Sequence, residues 1–492
     1  MVLITHPLAP STHKVVPLWI SGAPLAPLES DILFPVISST QDQPVHYAHS
    51  ASASTAIAAC DSAATAFKTW RKTSPTDRRA LLLKAADIIE ARAKELAASQ
   101  IAETNCPEQF GHANTRLSLY QIREIAAATS EIRGTVPQNM DAQEGLIVTI
   151  REPIGVVLII PPWNGAVILP VRAMSMALAA GCAIVVKASE LCPQTHHLIR
   201  ECFEEAGIPK GVINMIQARR EDAAAVTEAI IAHKAVRKID FIGSAAVGSR
   251  VGQLAAKYLK PILMELGGKG PAIVLEDADL EQAAQLCAMG AVVDHGQVCF
   301  STERIIVHKA VYDKFVAILS PIFSKMAKVG DAVTKQSAVH AYDVLKDAQD
   351  KGAKFLIGGP EYLSETSLKP TLVTNVSREM RIFDEESFGP SATIYVAEDD
   401  ADAIAKANDS AYGLNAAVHS KSWEHAYNVA KELEYGQVHI NSLTTQDSVG
   451  VPARGVKGSG WGQSNSIWGI HEFSIERTVY FHSRGSVGTL AH

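Results

Sequence analysis

The sequence predicts an α/β protein made of two doubly wound, Rossmann-like domains. Three observations predict it. From Ile154 onward, short Val/Ile runs alternate with Ala-rich stretches of helical length. A glycine turn, Gly243-Ser244-Ala245-Ala246-Val247-Gly248, closes one such run and opens a helix. After Gly267-Gly268 the alternation starts again. Near-continuous apolar strands between helices belong to parallel sheets covered on both faces.

Taken in order, Ser74-Pro75-Thr76-Asp77 is a helix start, with a Ser cap, Pro at the first position and an acid in the first turn. An amphipathic Ala/Leu run continues to about Thr104. Strands are predicted at Ile154–Ile160, Ala183–Lys187, Gly211–Ile216, Lys238–Ile242 and Ala272–Leu275. Helices are predicted at Val167–Ala179, Gln194–Ala206, Asp222–Ala232 and Val247–Leu259. The second unit carries strands at Arg304–His308, Ala392–Val396, Ala416–His419 and Gln437–Ile440. Gly145–Arg151 and Arg477–Phe481 read as lone strands, and no repeat or low-complexity linker interrupts the chain.

The 492 residues suffice for two or three domains. With 47% hydrophobic and 20% charged residues the chain can bury a sizeable core. A net charge of -7 without a long basic run argues against nucleic acid or an anionic membrane as partner. No apolar stretch reaches membrane-spanning length. Met1 to Pro10 lacks the charge and apolar core of a secretory signal, and Thr489-Leu490-Ala491-His492 is no peroxisomal address. The seven cysteines include no Cys-x-x-Cys pair, which argues against a zinc site or a disulfide framework and for a reducing cytoplasm.

The chemistry gathers in two segments, Met264-Glu265-Leu266-Gly267-Gly268-Lys269 and Asp294-His295-Gly296-Gln297-Val298-Cys299-Phe300-Ser301. A cysteine after a Gly-Gln turn can be a nucleophile, and a glutamate on a Gly-Gly turn can be the base that serves it. The glycine turn at 243–248 has P-loop spacing, but Ser249-Arg250 stands where Lys-Ser/Thr is needed. Its physical use is an anion at a helix N-terminus, though by itself it is a plain strand–helix connection. A carboxylate at Glu190, closing Lys187-Ala188-Ser189-Glu190, can accept ribose hydroxyls and repels a 2′-phosphate, which favours NAD over NADP; otherwise it is a surface ion pair.

From about Leu18 to Phe481 the chain resembles the aldehyde dehydrogenase superfamily, which carries a Glu-Leu-Gly-Gly-Lys block followed by a Gly-Gln-x-Cys block at about this distance. The resemblance implies Cys299 as nucleophile, Glu265 as general base, and Asn164 of Pro162-Trp163-Asn164 as oxyanion donor with the Cys299 amide. It implies a cofactor site made by Ile160, Pro161, Pro162, Trp163, Lys187, Ser189, Glu190, Gly243, Ser244, Val247, Leu266 and Gly267. Glu386 and Phe388 of Glu386-Ser387-Phe388-Gly389-Pro390 complete it on the nicotinamide side. It also implies an NAD-binding domain from 1–134 and 154–264 and a catalytic domain 265–455. Strands in 135–153 and 474–492 would pair subunits as a homodimer or homotetramer; read from the residues, they are equally ordinary edge strands. No metal is implied.

The stretch Asn164 to Arg172 and the phrase Lys187-Ala188-Ser189-Glu190-Leu191-Cys192-Pro193 are similar to the salicylaldehyde and vanillin dehydrogenase branch, as is Cys299-Phe300-Ser301-Thr302-Glu303-Arg304. The resemblance points to an aromatic aldehyde, with Trp163, Ile168, Arg172, Val298 and Phe300 around it. If the segment from Asn164 is helical, Ile168 and Arg172 share its face. Arg172 then meets a ring hydroxyl or phenolate, or makes an ion pair within the protein. Several details depart from the family pattern. Ala245 replaces a Thr, Asp294 replaces an Asn, and Pro452-Ala453-Arg454-Gly455 replaces Pro-Phe-Gly-Gly. The stretch between Gly330-Asp331 and Lys351-Gly352-Ala353 is also shortened. His295 either lies near the thiol or serves only the turn.

Three other readings compete: an aliphatic or semialdehyde dehydrogenase, a CoA-acylating member in which a thiol replaces water, and a catalytically silent binding protein. Glu265 favours hydrolysis over transfer to CoA. Cys299, Glu265, Asn164 and Glu386 together favour an active enzyme.

Overall fold

The structure is a computed structural model that describes residues 14–25, 32–138 and 145–482. The readings made at the two extreme termini, and parts of the spans 1–134, 135–153 and 474–492, lie outside the described residues.

Two large sheets dominate. The first has eight strands in the order Gly460–Trp461, Ile262–Glu265, Val236–Ile242, Val156–Ile160, Ala183–Lys187, Ile213–Ile216, Leu18–Ile20, Ala23–Leu25. The middle five are parallel; Gly460–Trp461 and Leu18–Ile20 run against them, and Ala23–Leu25 is antiparallel to Leu18–Ile20. Fully buried Val157, Ile159, Ile184 and Val186 face one apolar cluster; Leu158, Val185 and Ile239 face another. Helices cover both faces, as their two-sided burial demands. Ile168–Ala180 and Pro193–Glu205 lie among them.

The second sheet has seven strands in the order Lys354–Ile357, Thr371–Thr374, Ser391–Ala397, Thr302–His308, Gly270–Val274, Asn415–His419, Gln437–Ile440, parallel apart from the first. The predicted strand near Ala272 therefore belongs to this sheet. A separate antiparallel ribbon joins Gly145–Pro153 to Ser474–His482, which pairs the two lone strands with each other.

Sequence and structure differ in several places. The amphipathic run from Ser74 is two helices, Pro75–Ala91 and Ala93–Thr104, broken at Arg92, whose φ −97 and ψ 13 leave the helical region. The helices Ala53–Trp70 and Glu108–Ala128 went unpredicted, as did those of the second unit, Leu280–Val292, Tyr312–Lys325, Lys335–Asp350, Asp400–Asn408 and Trp423–Ala430, and the late Ser466–Glu472. The chain also returns to the first sheet late, through Gly460–Trp461 beside Ile262–Glu265. There Gly460 is required, because a Cβ would stand 2.0 Å from the Met264 carbonyl.

Candidate active site

Parallel topology puts the site where one sheet ends and the other begins. Ile160, Lys187, Ile242 and Glu265 are the last residues of four adjacent parallel strands. Ligands of open α/β sheets bind beyond such carboxyl ends. From Glu265 the chain crosses at Leu266-Gly267-Gly268-Lys269 into Gly270–Val274 of the second sheet. Cys299 lies just before the neighbouring strand Thr302–His308. Gly268 packs so closely that a Cβ there would sit 2.8 Å from the Cys299 carbonyl oxygen. The Cys299 and Glu265 segments thus meet across the seam between the sheets.

Cys299 is partly exposed, while the other six cysteines are buried. Burial raises its thiol well above the ordinary range, with Glu265 and Glu386 adding to the effect and Arg172 opposing it. The resting group is therefore the neutral thiol, and attack requires a base to take its proton.

The loop before Cys299 is tightly held. Asp294 and His295 adopt left-handed φ of 50° and 60°. Gln297 pins the turn, donating from Nε2 to the carbonyls of Asp294 and Asp331, both at 3.0 Å, and accepting from the Val333 amide at 2.9 Å. The His295 Nε2 accepts the Leu368 amide at 3.0 Å. Burial drops this imidazole to about 4, so it is neutral and serves the turn. Gly296 approaches the Gly389 carbonyl so closely that a Cβ would lie at 2.1 Å, which locks the nucleophile loop to the Glu386–Pro390 segment.

Asn164 sits in a turn and the helix starts only at Ile168. A continuous helix from Asn164 is thus corrected. The cause is Asn114 of the helix Glu108–Ala128. Its side-chain oxygen accepts the Val167 and Ile168 amides at 3.3 and 3.0 Å and so caps the helix there. The Asn164 Nδ2 donates one hydrogen to the Gln297 carbonyl at 3.0 Å, and an amide NH2 has a second hydrogen to give.

Glu386 accepts the Gly268 amide at 2.9 Å. Burial, with Glu303 adding, pushes its carboxyl up to about 8. Gly267 admits it, since a Cβ would lie 2.4 Å from the Glu386 Oε2. Phe388 (φ 47°) meets Trp163 edge-on, with ring centroids 5.9 Å apart and planes at 82°. Ile160, Pro162 and Trp163 are half-buried and Pro161 is buried. Lys187 and Ser189 are buried beside half-buried Glu190. Burial lowers the Lys187 ammonium, and Glu190 opposes it. Ser244 caps the helix Ala245–Lys257 by accepting the Val247 amide, and Gly248 lets Leu266 pack against that helix. Gly243 anchors the turn to the Glu265 carbonyl at 3.1 Å. The exposed Ser244 and Val247 and the uncapped amides beside them fit a pyrophosphate, and the Lys187–Glu190 turn fits a ribose.

The structure gives Arg172 the second of its two uses. It is buried at 1% exposure, and its guanidinium pairs with the Glu265 carboxylate and lies 3.8 Å from Asp447. Ile168 and Val298 are half-buried and Phe300 is buried. Sequence reasoning missed Asn114, Asp240, Gln121, Asp447 and Asn465. All are polar groups buried or anchored around this site, and their only sequence signal is polarity without periodicity. Among the described residues no cluster of three His, Cys, Asp or Glu can hold a metal ion, and no helix is long and apolar enough to cross a membrane.

Two doubly wound sheets with a thiol and a carboxylate at their seam have the architecture of a nucleotide-binding α/β enzyme. The aldehyde dehydrogenase family profile matches residues 28–479. The chain is 40% identical over 470 residues to a vanillin dehydrogenase of Pseudomonas sp. (strain HR199 / DSM 7063), covering 93% of this chain and 96% of that one. It is 38% identical over 431 residues to a salicylaldehyde dehydrogenase of Pseudomonas putida, covering 85% and 88%. A crystal structure of a salicylaldehyde dehydrogenase from Pseudomonas putida G7 complexed with salicylaldehyde superposes with a TM-score of 0.92 at 34% identity, over 96% of this chain and 98% of that one. The chain belongs to the aldehyde dehydrogenase family, and it is an aldehyde dehydrogenase enzyme.

Proposed function

We propose that this enzyme oxidises an aromatic aldehyde of the salicylaldehyde, benzaldehyde or vanillin type to the carboxylic acid with NAD. The observation that carries the reading is the seam where Cys299, Glu265, Asn164 and Glu386 converge. Members of the family reduce NAD(P); Glu190 beside the Lys187 turn favours NAD, because it repels a 2′-phosphate. The cofactor would lie along Ile160, Pro161, Pro162, Trp163, Lys187, Ser189, Glu190, Gly243, Ser244, Val247, Leu266 and Gly267, with Glu386 and Phe388 at its nicotinamide end. When bound it supplies the hydride acceptor.

The protein's own groups do the rest. The partly exposed Cys299 thiol gives its proton to solvent, its sulfur attacks the aldehyde carbon, and the resulting oxyanion takes hydrogen bonds from Asn164 Nδ2 and the Cys299 amide. After hydride loss an acyl thioester remains on Cys299. Glu265 takes a proton from water, water oxygen bonds to the acyl carbon, and the carbon–sulfur bond breaks to release the acid. Trp163, Ile168, Val298 and Phe300 supply an apolar wall suited to a ring. The similarity to vanillin and salicylaldehyde dehydrogenases supports that choice. The ribbon of Gly145–Pro153 and Ser474–His482 exposes Leu146, Ile150, Tyr480 and Phe481, which suits subunit pairing in a homodimer or homotetramer. Domains 1–134 with 154–264, and 265–455, divide the cofactor and catalytic roles, and the composition suits the cytoplasm.

The test is a NAD and NADP titration followed by steady-state kinetics on a panel of aldehydes. The expected result is tighter NAD binding and a higher kcat/KM for benzaldehyde-type substrates. A clear preference for acetaldehyde or a semialdehyde refutes the aromatic assignment, product formed only with CoA refutes hydrolysis, and no nucleotide binding refutes both.

A further inference from the structure

We propose that Arg172 is a positioning residue for the general base, holding the Glu265 carboxylate at the place from which it activates water against the acyl group on Cys299. The inference rests on the hydrolytic reading above.

The geometry is a chain of anchored side chains. Gln121 Nε2 donates to Asp447 at 3.4 Å, and Asn465 Nδ2 donates to both oxygens of the same carboxylate at 3.1 and 3.3 Å. Asp447 stands 3.8 Å from Arg172 Nη1, while Nη2 of the same guanidinium holds Glu265 Oε2. Arg172 is thus suspended between a fixed carboxylate and the base. Its burial leaves no exposed face to a substrate ring. Glu265 Oε2 is occupied, whereas Oε1 is buried with no hydrogen-bond partner in the protein. Oε1 is therefore the oxygen left to accept a proton from water.

A third carboxylate makes the cation necessary. Asp240 pairs with Leu263 on the neighbouring strand, so it shares a sheet face with Glu265 two residues further on. It is buried, and its Oδ2 has no partner. The other cation near it, Lys238, is already paired with Glu472. Burial pushes the Asp240 carboxyl up to about 7, with Arg172 opposing and Glu265 adding to the effect, so Arg172 is the cation placed between Glu265 and its neighbours Asp240 and Asp447. Thiol attack and hydride loss do not call on this arrangement; the delivery of water does.

The experiment compares the parent enzyme with R172M and R172K, using NAD with benzaldehyde and with 2-hydroxybenzaldehyde. It follows the first NADH by stopped flow and acyl-Cys299 by quenched mass spectrometry. The inference predicts that R172M still releases the first NADH, accumulates the acyl enzyme and turns over at least about tenfold more slowly, by a similar factor for both aldehydes. R172K, which keeps the cation, recovers part of the turnover. Should R172M fail to fold, D447N loosens the other anchor and is expected to show the same split more weakly. A KM raised only for the hydroxylated aldehyde at unchanged kcat would make Arg172 a substrate ligand and overturn the inference, as would parental turnover in R172M or in D447N. A parent enzyme that never carries an acyl group on Cys299 would instead bring down the hydrolytic reading, and this inference with it.

Discussion

At the scale of residues, the site shows how much depends on a partner's location. Cys299 and Glu265 stood out as a thiol and a carboxylate beside glycine turns, whereas Glu386 was singled out only by the family resemblance of its motif. The ion pair of Arg172 was not legible. Its second partner, Asp447, comes from a distant loop with no pattern of its own, so the sequence left a substrate contact and an ion pair equally open. The left-handed Asp294 and His295 were equally hidden, since only Gly advertises such a backbone and tertiary bonds from Gln297 and Leu368 enforce it here. Asn164 gives a direct prediction. With one amide hydrogen on the Gln297 carbonyl and the other free for the oxyanion, Asn164→Ala is expected to lower kcat by about 10²–10³ with little change in cofactor affinity. Steady-state kinetics beside a NAD titration checks it, and a kcat within a few-fold of the parent would remove Asn164 from that role.

At the scale of elements, alternation of Val/Ile runs and helices revealed the strands and missed the joints. The run after Ser74 is continuous in pattern yet breaks at Arg92, because its helical periodicity carries through the kink. The late strand Gly460–Trp461 is two residues long, too short to show any period. What couples the catalytic motifs is a buried junction at Glu303. This carboxylate on Thr302–His308 pairs with Lys269 from the Glu-Leu-Gly-Gly-Lys block. It also accepts the Ser387 amide at 3.0 Å and the Ser387 hydroxyl at 2.9 Å. Three motifs far apart in sequence are thus tied by one side chain. Glu303→Ala strands the Lys269 ammonium in the interior and is expected to cost about 3–5 kcal/mol. Thermal unfolding should show a clearly lower midpoint, partly restored by adding Lys269→Met; an unchanged midpoint would contradict the junction.

At the scale of the whole molecule, the two large sheets are joined at Glu265 by the four residues Leu266-Gly267-Gly268-Lys269, and the chain returns beside them at Gly460–Trp461. That economy explains the two glycines: one admits Glu386 and the other admits the Cys299 backbone. Fold class and the existence of two units followed from the sequence because each sheet carries its own strand–helix alternation. Their mutual placement did not, because no local pattern encodes which sheet edge faces which. The central claim is that an acyl group forms on Cys299 at this seam and leaves only when Glu265 activates water. The most direct measurement is quenched mass spectrometry of Glu265→Gln mixed with NAD and benzaldehyde, with Cys299→Ala as the control. The account predicts one NADH per site, a stable acyl adduct mapped to Cys299, and neither NADH nor adduct in the control. Sustained turnover of Glu265→Gln without an adduct, or an adduct that persists in Cys299→Ala, would contradict it.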